Sequence, residues 1–185
     1  MRTLILASIA LASACASAPN HAPRAHISED FDLSLPLPPG YPQTSTIAQT
    51  VRARYGMLQA VFEAVLSLSP ERVDIVVTAA GGPRLATIHW DESGVREERT
   101  LLAPEGVPVE NLLADLFVSL WPIEAVAAAL PAGVDLSVGE NGARTLSAGG
   151  VAIMEVRREP GDTERVLVRN HALGYEISIV SQALD

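Results

Sequence analysis

The chain has 185 residues, a formal net charge of −9 and 13 basic residues, all of them arginine. So acidic a chain is a poor partner for nucleic acid, or for an anionic lipid surface engaged by charge alone, and without lysine it cannot build the usual phosphate-binding loop. The length suits one domain with a real core.

The first fourteen residues differ from the rest. Met1 to Thr3 carries one positive charge, Leu4 to Leu11 is apolar except for Ser8, and Ala12, Ser13 and Ala14 are small. This is the order of an export signal. Eight helical residues reach only about 12 Å at ~1.5 Å each, well short of a ~30 Å hydrocarbon core. Residues 1–14 are therefore expected to be a signal peptide rather than a membrane span. Cys15, the single cysteine, follows at once. Leu11-Ala12-Ser13-Ala14-Cys15 resembles the lipobox of bacterial lipoproteins, with Ala12 where Leu is commonest. The resemblance implies cleavage before Cys15 and acylation of Cys15 with chains such as palmitate. Several acyl chains hold a protein stably where one does so only marginally. The alternative, a leader cut elsewhere, leaves an exposed thiol with no second cysteine to pair with.

Residues 15–43 read as the acylated cysteine and an extended tether. Pro19 and Pro23 oppose a helix, and the stretch from Pro36 to Pro42 is dense in proline and glycine, which favours extended backbone. Residues 44–185 read as a single domain. Leu58 to Leu66 fits either a helical stripe or one face of a strand, and periodicity alone leaves both open. Val73, Ile75 and Val77 alternate with polar residues, Gly81-Gly82-Pro83 makes a turn, and Leu85–Trp90 and Val95–Leu102 continue an antiparallel meander. Val109, Leu112, Leu113, Leu116, Phe117, Leu120 and Trp121 recur at steps of three and four, which predicts a helix with one broad apolar stripe. Pro122 breaks it, and a second short helix follows to Leu130. Strands are predicted again at 134–138, 143–147, 151–158, 164–169 and 175–180, with turns between them.

No catalytic set stands out. The sequence contains no HExxH, CxxC, GxSxG or glycine-rich phosphate loop. His89-Trp90-Asp91 reads more simply as a strand residue, a core ring and a turn-opening aspartate than as part of a triad. The chain is therefore expected not to be an enzyme, with no catalytic residue, no metal and no cofactor. Among the eight aromatic residues, Phe62, Trp90, Phe117, Trp121 and Tyr175 fall on predicted strands or helices. With Leu113, Leu116 and Leu120 they either fill a core or line a lipid-sized hollow and its lid.

Seven short stretches, in order along the chain, carry a family resemblance: Leu37-Pro38-Pro39-Gly40, Trp90 to Gly94, Leu112 to Leu116, Trp121-Pro122, Arg144-Thr145-Leu146, Gly174-Tyr175 and Ile177-Ser178-Ile179. Together they resemble a family of LolB-like bacterial lipoproteins associated with aryl polyene biosynthesis clusters. The resemblance implies an α+β, mostly β fold like LolA and LolB, a strongly curved antiparallel half-barrel covered by helices, and it decides for a strand at 58–66. It also implies a non-catalytic protein that binds or transfers a lipid, an acyl chain or a lipoprotein, possible cargoes including an aryl polyene lipid for export. Ala16 after Cys15 implies an outer-membrane anchor facing the periplasm. The partners are then the membrane, the hydrophobic cargo and export-machinery proteins. No counterpart of LolB's protruding apolar loop is placed by the sequence. The alternative readings are an assembly lipoprotein with a filled core that binds partner proteins, and a hydrolase without a recognised motif.

Overall fold

The computed structural model describes residues 22–103, 108–159 and 164–184. The expected signal peptide and the acylation site Cys15 lie outside them.

Two short strands come first, β1 (Arg24–His26) and β2 (Asp32–Ser34). A meander follows: β3 (Ser45–Tyr55), β4 (Leu58–Leu68), β5 (Val73–Ala79), β6 (Arg84–Asp91) and β7 (Gly94–Arg99). Helices α1 (Val109–Leu120) and α2 (Ile123–Ala129) precede β8 (Val134–Val138), β9 (Arg144–Ala148), β10 (Val151–Glu159), β11 (Glu164–Asn170) and β12 (Tyr175–Leu184). β1 and β2 form a small hairpin of their own; the rest make a ten-stranded sheet in the order β7-β6-β5-β4-β3-β12-β11-β10-β9-β8. Every pairing is antiparallel. The ambiguous stretch at 58–66 is a strand, paired with β3 from Leu58 to Leu68.

The alternation in the sequence explains which face is buried. Ala64, Leu66 and Leu68 on β4, Val73, Ile75 and Val77 on β5, and Val166 and Val168 on β11 are all in the core. Their neighbours along each strand face the other way. The sheet is strongly curved. β6 and β9 stand seven strands apart in the order, which would be about 34 Å on a flat sheet at ~4.8 Å per strand. Yet both touch α1, through Trp90 on Phe117 and Arg144 on the Val118 carbonyl. A helix only ~10–12 Å across cannot meet both unless the sheet wraps around it.

The tether expected at 15–43 is corrected from residue 22 onward. Ala25, Ile27, Leu33 and Leu35 are essentially inaccessible and belong to the core. The β1–β2 hairpin lies on α1, with the His26 N–H donating to Asn111 Oδ1 at 3.1 Å. Proline opposes a helix but not extended backbone, and Phe31, Leu33, Leu35 and Leu37 alternate as a buried strand does. The apolar energy of that row, ~1.5–3 kcal/mol per large side chain, draws it into the barrel.

Candidate functional site

Helix α1 sits in the concave side of the sheet. Pro108 precedes it with φ −61°, and Glu110 lies in its first turn, where the helix end is positive. Its predicted stripe is buried, but so are Ala114, Asp115, Val118 and Ser119. The helix is covered by the sheet on one side and by the β1–β2 hairpin on another, so burial exceeds the stripe. The last carbonyls of a helix have no partner within it. Here Arg144 Nη1 donates to the Val118 carbonyl at 2.5 Å and Arg158 Nη2 to the Ser119 carbonyl at 2.8 Å. Two strand arginines thus cap a helix whose own last turn has no basic residue.

The aromatic residues meet at the C-terminal end of α1. Trp90 and Trp121 stack with ring centroids 5.4 Å apart, Phe117 lies 5.3 Å from Trp121, and Tyr41 meets Trp121 edge-on at 4.9 Å. The indole N–H of Trp90 donates to the Pro36 carbonyl at 2.9 Å, and that of Trp121 to the Pro39 carbonyl at 2.6 Å. The proline-rich stretch is therefore the acceptor for both tryptophans. Of the residues proposed to line a hollow or its lid, Trp90, Leu113, Leu116, Phe117 and Trp121 are buried, while Phe62, Leu120 and Tyr175 are half-buried. Trp90, Phe117 and Trp121 are buried in contact with one another; Tyr175 stands apart from them.

Tyr175 instead donates to Asp115 Oδ1 at 2.7 Å, across 60 residues of sequence. Burial pushes the Asp115 carboxyl up to about 7, with the Tyr175 hydroxyl pulling the other way. Burial, then the neighbouring carboxylate, raises the Tyr175 phenol above its ordinary range. Beside them the buried Asn170 donates to the Ile27 carbonyl at 3.0 Å and accepts from the Leu173 N–H at 2.7 Å. These contacts pin α1, the β1–β2 hairpin and the β11–β12 turn to one another. Asp115 and Asn170 were not singled out from the sequence. The available signal was a carboxylate inside an apolar helix, within the Leu112 to Leu116 stretch.

His89 pairs with Asp74 at 2.5 Å on the outer face, where Arg72 joins them. Burial raises the Asp74 carboxyl, but the hydrogen bonds with His89 and Arg72 outweigh it and bring it below the ordinary value. The row is an ion-paired strand face, and no group of three or more metal-ligating side chains stands among the described residues. None of the described helices is long and apolar enough to cross a membrane.

One part of the sheet is left uncovered. β5 pairs with β4 only from Phe62 onward, so Leu58 to Val61 pair with β3 alone. The β3–β4 hairpin therefore has a free edge on its β5 side, while β3 stays paired with β12 as far as Tyr55; a Gly56-Met57 turn closes it, with Gly56 at φ +56°, a conformation suited to tight hairpins. At its end Tyr55, Met57 and Leu58 are 62%, 98% and 72% exposed. Leu58, Ala60 and Phe62 share the face of β4 that continues inward to the buried Ala64 and Leu66. An apolar row thus runs from the exposed tip to the edge of the core, and it escaped the sequence reading because Leu58 to Leu66 looks like any core strand.

A protein family described as "Protein of unknown function (DUF3261)" matches residues 46–183. No curated protein matches the chain. Among solved structures, a LolA superfamily protein from Nitrosomonas europaea is similar, with 10% sequence identity and a TM-score of 0.46 over 77% of this chain and 86% of that one.

Proposed function

For this chain, which belongs to the DUF3261 family, we propose a non-enzymatic role: binding of a lipid tail or acyl chain at the exposed end of the β3–β4 hairpin. The observation that carries it is the exposure of Tyr55, Met57 and Leu58 together at one hairpin end. Soluble proteins scatter single apolar residues over their surfaces; a contiguous exposed group marks an interaction site. Covering an alkyl chain there is favourable by ~0.8 kcal/mol per buried CH₂.

The lipobox-like stretch ending at Cys15 supports acyl anchoring, and Ala16 supports an outer-membrane, periplasm-facing position. An anchor there would hold the hairpin close to lipid and raise its effective concentration. The stretches quoted above support a lipoprotein or an aryl polyene lipid as cargo. Asp115 and Tyr175 are better suited to fixing α1 than to acid–base chemistry on a substrate, because the carboxyl is sealed beneath the helix.

A second reading is an assembly lipoprotein that binds partner proteins. The stacked, fully buried tryptophans favour it, as does the β4 edge at 58–61, which lacks a neighbour on its β5 side and could accept an added strand. The two readings separate on uptake of a fluorescent acyl probe by the full chain in neutral detergent. Lipid binding predicts saturable uptake that Met57→Glu and Leu58→Glu abolish while the fold persists. Absence of uptake, or uptake indifferent to both substitutions, would overturn it in favour of the assembly role.

A further inference from the structure

Next to the hairpin end, the β11–β12 turn and the start of β12 border an open cleft of about 350 Å³, lined among others by Arg54, Gly56, Arg169, His171, Tyr175 and Glu176. The register places Arg54, Glu176, Arg169 and Glu155 side by side across β3, β12, β11 and β10. These side chains lie on the face opposite the core.

The electrostatics there run against those of the whole chain. Glu176 Oε2 accepts from Arg169 Nε at 3.0 Å and Nη2 at 2.6 Å, while Oε1 accepts from Arg54 Nη2 at 3.4 Å. The Arg169 hydrogen bonds hold the Glu176 carboxyl below its ordinary value. One carboxylate thus serves two guanidinium groups. The neighbouring Glu155 is engaged by Arg157 at 2.6 Å and His171 at 3.4 Å. The Arg54–Glu176–Arg169 set is therefore net positive in a chain of charge −9. Each guanidinium carries five N–H donors in a planar fork, so most of these donors are not used on Glu176. Both arginine side chains remain substantially exposed. At Gly56 and Gly174, which line the cleft, a Cβ would meet nothing within 4 Å.

We infer that this cleft receives the phosphate-type anionic headgroup of an amphiphile whose acyl chain crosses the Gly56-Met57 turn, from the Arg54 face to the opposite face that bears Tyr55 and Leu58; the inference rests on the lipid-binding reading above. Arg54 and Arg169 stand on the two strands that flank β12 and converge on Glu176 between them. An anion with three or more acceptor oxygens can engage both forks, with Glu176 setting their spacing. The overall negative charge of the chain disfavours a broad anionic surface, so selectivity for a single headgroup falls to this local cluster.

The test is equilibrium binding to the full chain in neutral detergent, with dihexanoyl phosphatidate, dihexanoylglycerol and inorganic phosphate as probes. The phosphatidate is expected to bind at least about tenfold more tightly than the uncharged lipid, as charge-assisted hydrogen bonds allow. Arg54→Gln should erase that preference and leave dihexanoylglycerol binding unchanged. This substitution is chosen because Arg54 is exposed and makes a single long contact, so the fold should tolerate it. Arg52→Gln, on the same strand and face but outside the cleft lining, should leave the preference intact; an equal loss there would reduce the effect to diffuse charge and overturn the site. Equal affinity for the two lipids overturns the cleft and leaves the apolar hairpin reading standing. Inorganic phosphate competing as well as the phosphatidate overturns the headgroup assignment in favour of a free-anion site. If neither lipid binds, the lipid-binding reading falls and takes the cleft with it.

Discussion

Asp115→Asn isolates the energetics of a buried carboxyl from the packing around it. Asp115 is almost fully buried and accepts one hydrogen bond, from Tyr175 at 2.7 Å. Its folded-state pKa of about 7 stands above the ordinary 3.8. Between those two pH values the native state keeps a proton that the unfolded chain releases. Stability therefore falls as the pH rises through this window, and levels off above it. At ~1.4 kcal/mol per pH unit, the full window is worth about 4 kcal/mol. Asparagine keeps the acceptor for Tyr175 and cannot ionise. Any of its added N–H donors left without a partner costs ~1–3 kcal/mol, a penalty that does not vary with pH. The assay is urea unfolding followed by the fluorescence of Trp90 and Trp121, both buried in the native state, at several pH values from 4 to 8. The quantity to plot is variant stability minus wild-type stability. Subtraction removes the contributions of Asp74, Asp91 and Glu176, whose depressed pKa values act with the opposite sign. The difference should climb with pH by several kcal/mol and flatten near neutrality. A flat difference across the range would refute the assignment of Asp115 as a neutral, buried acid.

Tyr175→Phe removes the hydroxyl that pulls the Asp115 pKa down, so the same pH window should extend upward and stability should fall at all pH values, as read by the same titration. Leu33→Ala should cost ~2–5 kcal/mol in denaturant unfolding, because Leu33 is fully buried and its removal leaves a cavity; a negligible change would restore a free tether there. Trp121→Ala should cost ~3–5 kcal/mol, since the substitution empties the centre of the aromatic cluster and strands the Pro39 carbonyl. Met57→Glu, by contrast, should change stability by no more than ~0.5 kcal/mol, because Met57 is 98% exposed; circular dichroism melting checks this independently of any ligand.

The sequence by itself determined the periodic elements. Alternation placed β5 at Val73–Ala79, and a three-and-four spacing ending at Pro122 placed α1; both are local patterns that depend on one face being buried. Alternation also ran through Phe31, Leu33 and Leu35, but the prolines around it made the segment read as a tether. Only the tertiary structure decided its fate, because what draws it inward is apolar burial against α1 and two indole N–H groups that need the Pro36 and Pro39 carbonyls. The same holds for Asp115, where burial comes from a second layer that no helical period encodes. The free β4 edge was decided by relative strand length, since Leu58 to Val61 look like core residues until β5 is seen to stop short of them. The arginine cleft was likewise invisible, because Arg54, Arg169 and Glu176 are far apart in the chain and are brought together by the register of β3, β12 and β11. Local periodicity is set by the covalent chain, whereas which faces are covered depends on what other segments are long enough to reach.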